Sequence, residues 1–281
     1  MVGPMRFMVL LGVWLLPSLL PAESGGKNPL NIELISEMRS IRAGSSFCLG
    51  LHLRHPAGSH TYWKHPGVVG LATQVEWELP PGFTAGEIQW PAPAVVKMAD
   101  YQAQGYQGET LVIIPLTAPA FLTTRTVVLT ARISWMCCGN TCHPAARIPF
   151  SVTLPVAAAA EPDPVTRPLF AKFRAQVPRR DPAWQAAARR ERDRIVLTLQ
   201  APGPIPARSD ADGIHFFTAD GQVDSNQKQQ VDILSDGRIR MKLALAENAP
   251  PHAATLPGVV MLPGGFQGDG LPFQLEINPG Y

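Results

Sequence analysis

Three of the four cysteines in this 281-residue chain fall in Trp135-Met136-Cys137-Cys138-Gly139-Asn140-Thr141-Cys142-His143-Pro144. Sulfurs this close have three chemistries open to them: electron exchange through a reversible disulfide, a fixed structural bridge, or ligation of a soft metal. Gly139-Asn140 is a strong turn dipeptide and separates Cys138 from Cys142. A turn there sets two segments antiparallel and brings the flanking Cα atoms towards the roughly 5.5 Å that a disulfide needs. Pro144 ends the excursion with a fixed φ and no amide donor. His143, beside Cys142, favours a thiolate when it is protonated. As a metal site, Met136, Cys138, Cys142 and His143 make a donor set suited to Cu(I), to which His52, His55, His60 and His65 add imidazoles if the fold gathers them. The paired C-x-x-C spacing of a zinc knuckle is missing.

The element that carries the cluster is a strand. Alternation along Thr126 to Cys138 puts Val127, Leu129, Ala131, Ile133, Trp135 and Cys137 on one apolar face, and Val128, Thr130, Arg132, Ser134, Met136 and Cys138 on the other, more polar one. On this register Cys137 is a small core residue and Cys138 the accessible thiol; a single bulge would exchange the two. Cys48 sits on the mixed face of its own strand, as a packed thiol or as a partner for Cys137.

The rest of the chain is organised around similar strands. Asn31 to Ser36, Phe47 to Leu53, Gln74 to Leu79, Leu111 to Leu116, Thr126 to Met136 and Ile148 to Leu154 read as strands, which makes residues 27–156 a β-sandwich. Trp77, Trp90 and Trp135 belong to its core. Residues 157–190, opening on Ala157-Ala-Ala-Ala-Glu-Pro-Asp-Pro, read as a basic, partly helical linker. Residues 191–281 read as a second, smaller β-domain with strands at Ile195 to Leu199, Ile214 to Phe217, Val231 to Leu234, Ile239 to Leu245, Val259 to Leu262 and Phe273 to Ile277. The fold class is therefore all-β.

Arg6 followed by an apolar run from Phe7 to Leu20, then Leu20-Pro21-Ala22, reads as a cleaved signal peptide over residues 1–22. No cysteine stands at the cleavage point, the first being Cys48, which speaks against a lipid anchor. The expected location is an oxidising, disulfide-permissive compartment. A net charge of +2 argues against nucleic acid as a partner. G-x-S-x-G, Walker A and H-E-x-x-H are all absent, so hydrolytic and nucleotide-dependent chemistry have no support. Between Arg167 and Arg194 nine Lys or Arg face three Asp or Glu, read as a solvated face or a docking surface for acidic groups.

The cysteine segment resembles the N-terminal periplasmic domain of DsbD and ScsB thiol:disulfide interchange proteins. Three further stretches carry the resemblance: His60-Thr61-Tyr62-Trp63-Lys64 with Pro66-Gly67, Gly86-Glu87-Ile88-Gln89-Trp90-Pro91-Ala92-Pro93, and Gly105-Tyr106-Gln107-Gly108-Glu109. It implies an immunoglobulin-like domain, in the periplasm, that acts as a thiol-disulfide oxidoreductase and needs no cofactor. Carried over by position, the exchanging pair is Cys138 and Cys142. Asp100 to Gly108 would be the capping loop, with Tyr101 and Tyr106 as shields; Cys137, His143 and His60 are auxiliary candidates. The implied partners are a separate membrane-embedded thiol reductase as donor and oxidised periplasmic proteins as acceptors, with no small-molecule substrate. Cys137 stands where the family has an aliphatic residue, which leaves a Cys137–Cys142 bridge open. The alternative function is periplasmic copper binding through the same Cys, Met and His cluster.

Overall fold

A computed structural model describes residues 30–203, 211–264 and 272–281, so the signal-peptide expectation for residues 1–22 lies outside the described residues. The first unit is an immunoglobulin-like β-sandwich. One sheet orders Asn31–Ser36, Ser46–Arg54, Glu109–Thr117 and Thr84–Ala85; the other orders Cys142–Pro155, Thr126–Cys138, His60–Gly67, Tyr101–Gln107 and Ala94–Met98. Every named pairing in both sheets is antiparallel. The core between them follows from period-two alternation: Leu49, Leu51 and Leu53 meet Val127, Leu129, Ala131, Ile133, Trp135 and Cys137. Each such fully buried aliphatic side chain contributes about 1.5–3 kcal/mol.

Two departures from the expected strands matter for the site. His60–Gly67 and the hairpin Ala94–Met98 with Tyr101–Gln107 are strands, although neither alternates in hydrophobicity. Asp100 to Gly108 is therefore the turn and second arm of a hairpin rather than a loop. In addition, the outer edge of Thr126–Cys138 changes partner along its length. Gln74–Glu78 pairs with Thr130 to Ser134, whereas His60 pairs with Cys138. The chain joining those two partners, residues 68–73, leaves the sheet between them.

The connection between the units is firmly attached. Glu161–Pro162 pairs with Met38–Ser40, and the helix Arg167–Arg174 seats Phe170 and Phe173 on Leu111 and Ile113, on the outer face of the first sheet. Beyond it, Gln185–Arg190 is a strand where the sequence suggests helical character, because its small alanines alternate against Arg194–Gln200. Part of the basic stretch is paired: Lys172 with Glu109, Arg174 with Glu37, Arg180 with Glu276 and Arg189 with Glu191.

The second β-unit packs a four-stranded sheet (Gln185–Arg190, Arg194–Gln200, Arg238–Ala244, Gln230–Ile233) on a three-stranded one (His215–Thr218, Gly258–Leu262, Phe273–Ile277). Its core holds Trp184, Leu197, Phe216, Met241 and Leu275. Phe217 and Val259 extend beyond that core and bury Trp63 and Tyr106 of the first unit.

Candidate functional site

Thr126–Cys138 and Cys142–Pro155 form one long hairpin whose tip is Gly139-Asn140-Thr141, closed by the Gly139 N–H donating to the Thr141 carbonyl at 3.0 Å. Cys138 and Cys142 stand directly opposite each other, with Cα atoms 4.1 Å apart, and are joined by a disulfide. Cross-strand neighbours share a face of the sheet. Cys137 opposes His143 in the same ladder, so both occupy the other face.

The expected register holds along the cysteine strand. The hairpin's one irregularity falls between Ile133 and Trp135, and the extra residue lies on the return strand, where Arg147 adopts a φ of 54° and its N–H donates to Ser134 Oγ. Alternation thus continues unbroken to Cys137, which is fully buried in the sandwich core. The expectation about access is overturned. Cys138 is 0% exposed, and Cys142 is the exposed member of the pair. Cys138 does lie on the outer face, as alternation requires, but that face is covered.

The cover is built from segments distant in sequence. Cys138 clusters with Tyr62, Val96 and Ala103, against which Val69, Met98 and Met136 pack. The loop after Gly67 lies on the Tyr62 ring: a Cβ on Gly70, whose φ is +101°, would stand 2.1 Å from Tyr62 Cε1. Only glycine allows that contact and that backbone angle together. The Tyr62 hydroxyl donates to Met98 Sδ at 3.2 Å and lies 3.3 Å from His60 Nε2. With its proton committed to sulfur, the hydroxyl accepts from His60, which fixes the proton on Nε2 and leaves Nδ1 as the basic nitrogen. Burial, helped by His55, lowers the His60 pKa, and burial raises that of Tyr62.

The expected shields are not the actual ones. Tyr106 faces the other side of its strand, donates its hydroxyl proton to the Pro91 carbonyl at 2.7 Å, and packs on Trp63, Phe217 and Val259. Tyr101 shares the face of Ala103 by alternation but is 49% exposed and outside the cluster around Cys138. Tyr62 and Met98 take that part, and only the aromatic-rich stretch His60 to Lys64 hints at it in the sequence.

Neither remaining thiol is poised to react. Burial pushes the Cys137 thiol up, away from the thiolate. Cys48 lies on the helix side of the first sheet, where burial and Glu37 also push it up. The first sheet stands between these two sulfurs, so the suggested Cys48–Cys137 pairing is not formed, and the Cys137–Cys142 alternative is excluded by the Cys138–Cys142 bond. For the copper reading, Met136 shares the disulfide's face, but His143 is on the opposite face with its Nε2 2.9 Å from Thr141 Oγ1. His52 is held by Glu109 and Arg54, and His55 by Gly108 and Thr61. Among the described residues no group of three or more His, Cys, Asp or Glu is arranged to hold a metal.

Residues 34–154 match the family model described as thiol:disulfide interchange protein DsbD, N-terminal. That stretch is similar to the DsbD N-terminal domain. The structure as a whole is similar to the crystal structure of the N-terminal periplasmic domain of ScsB from Proteus mirabilis. The two have a TM-score of 0.63 and 17% sequence identity, over 90% of this chain and 94% of that one. At that identity the likeness concerns the fold, and it includes the second β-unit. Among curated protein sequences none matches this chain. Among the described residues no helix is long and apolar enough to cross a membrane. The DsbD-type stretch is a thiol:disulfide interchange domain, and the disulfide it contains is the one at the hairpin tip.

Proposed function

We propose that this protein carries electrons in the periplasm, from a membrane-embedded thiol reductase to oxidised periplasmic proteins, by cycling the Cys138–Cys142 pair between disulfide and dithiol. The observation that carries the reading is the asymmetry of the pair at a hairpin tip, one sulfur on an exposed residue and the other on a buried one. In the reduced protein Cys142 is the sulfur a client can reach. Its thiolate attacks the client disulfide, forms a mixed disulfide and expels one client sulfur as a thiolate. Cys138 then loses its proton and attacks Cys142 Sγ. The internal disulfide forms, and the second client sulfur leaves with the electron pair and takes up a proton. Two electrons have passed to the client. The reductase restores the dithiol by the same steps in reverse. His60, the cross-strand neighbour of Cys138, is the nearby base for the resolving step.

Trapping tests the assignment. With Cys138→Ser, Cys142 is expected to accumulate as a mixed disulfide with client proteins that a non-reducing gel resolves. Cys142→Ser should accumulate far less, because its remaining thiol is covered. Equal trapping by both variants, or none by either, would overturn the reading.

A further inference from the structure

The cover over Cys138 is fastened by the second β-unit. In the loop after Val223, Ser225 is 8% exposed and its hydroxyl bridges both parts of the cover. It accepts the Val68 N–H at 3.2 Å and donates to the Gln102 carbonyl at 3.3 Å. Asn226 Oδ1 accepts the Gln102 N–H at 2.9 Å. Val68 and Gln102 immediately precede Val69 and Ala103, two of the residues that enclose Cys138. The contacts join residues 157 and 124 positions apart in the sequence. Gly67 is shaped for them: its φ is +95°, and a Cβ there would stand 2.1 Å from Ser225 Oγ. The fastening loop is itself held, with the Asn226 N–H donating to Asp224 Oδ1 at 2.8 Å and the Asp224 N–H to the Ala244 carbonyl at 3.0 Å. Alongside it, Gln104, 2% exposed, donates to the carbonyls of His65 and Thr218 and so ties the same hairpin to the second unit.

We propose that Ser225 and Asn226 are positioning residues for disulfide exchange, latching the cover so that the Cys138–Cys142 bond yields to a docked protein dithiol and resists small thiols. The chemistry explains the direction. A thiolate that attacks Cys142 Sγ breaks the bond to Cys138 Sγ, which must depart as a thiolate. Under a closed cover that charge forms among Tyr62, Val96 and Ala103 and beside His60, whose charged form burial disfavours, so the leaving group is poor. Releasing the latch admits water and lowers that barrier. The reductant supplies the electrons, and the departing Cys138 sulfur takes up a proton.

This inference rests on Cys138 and Cys142 being the exchanging pair, yet its test needs no client. The rate of disulfide reduction by dithiothreitol would be measured for the full protein and for Ser225→Ala, Asn226→Ala, the double variant and Asn226→Asp. Each hydrogen bond lost should raise the rate about fivefold, most in the double variant. Asn226→Asp keeps an acceptor oxygen and should stay near the wild-type rate. Hydrogen exchange at the Val68 and Gln102 amides should speed up in the alanine variants while Leu129 and Ile133 in the core stay protected, which separates a loosened cover from a loosened fold. Faster amide exchange with an unchanged reduction rate would overturn the proposal, as would unchanged exchange at both amides. General loss of protection in the alanine variants with the wild-type rate in Asn226→Ala after refolding would also count against it. A wild-type bond that dithiothreitol reduces but no protein dithiol does would instead sink the exchange reading and leave the latch standing.

Discussion

Three neighbouring sulfurs have been given three different environments, and backbone register is the cause. Cys137 faces the core, where desolvation holds it as a thiol; Cys138 faces outward under Tyr62; Cys142, opposite Cys138, meets solvent. The separation of Cys137 from the other two is legible in the alternation of Thr126 to Cys138. The burial of Cys138 is not, because Val69, Val96 and Ala103, which enclose it, come from elements whose position no local pattern encodes. Cys137→Ala should therefore leave exchange kinetics unchanged, whereas Cys137→Ser, which buries a hydroxyl among apolar neighbours, should cost about 1–3 kcal/mol in urea denaturation. Exchange slowed by the alanine variant would implicate this thiol in the chemistry. Tyr62→Phe removes the acceptor for His60 and the donor to Met98. It is expected to destabilise by about 1–3 kcal/mol and to quicken alkylation of Cys138 in the reduced protein.

Among the elements, the strands legible in the sequence are those with one core face and one polar face. Asn31–Ser36 and Phe273–Ile277 match their expected limits residue for residue. His60–Gly67 and Tyr101–Gln107 escape that test because both of their faces are used: one covers Cys138, and the other, through Trp63 and Tyr106, meets the second unit. A strand buried on two sides by different partners shows no period-two contrast. The helix Arg167–Arg174 is legible from Leu169, Phe170 and Phe173, and it acts as a clasp on the first sheet. Phe170 is fully buried, so Phe170→Ala should cost about 3–5 kcal/mol in a denaturation experiment. A loss under about 1 kcal/mol would mean that the helix is not docked there in solution.

At the scale of the whole molecule, burial of neutral histidines ties stability to pH. Burial lowers His215 from the ordinary 6.5 to about 4, and Gln229 Nε2, which can only donate, lies 3.3 Å from its Nε2, so the ring is neutral. A histidine depressed in the folded state stabilises fully above pH 6.5 and loses that contribution as pH falls through about 4. His55, His60 and His65 are lowered by burial too, so they act in the same direction. Unfolding free energy should fall across that window by on the order of 3 kcal/mol from His215 alone, and His215→Gln should flatten much of the slope; an unaltered slope would contradict the assignment. The central claim is tested most directly by equilibrating the purified protein through graded ratios of reduced and oxidised dithiothreitol, quenching in acid, alkylating in denaturant so that buried thiols react, and reading each cysteine by peptide mass spectrometry. Cys138 and Cys142 are expected to change state together at a single midpoint, with Cys48 and Cys137 alkylated at every ratio. A bridge that includes Cys48 or Cys137, or a Cys138–Cys142 bond that stays closed at every ratio, would contradict it.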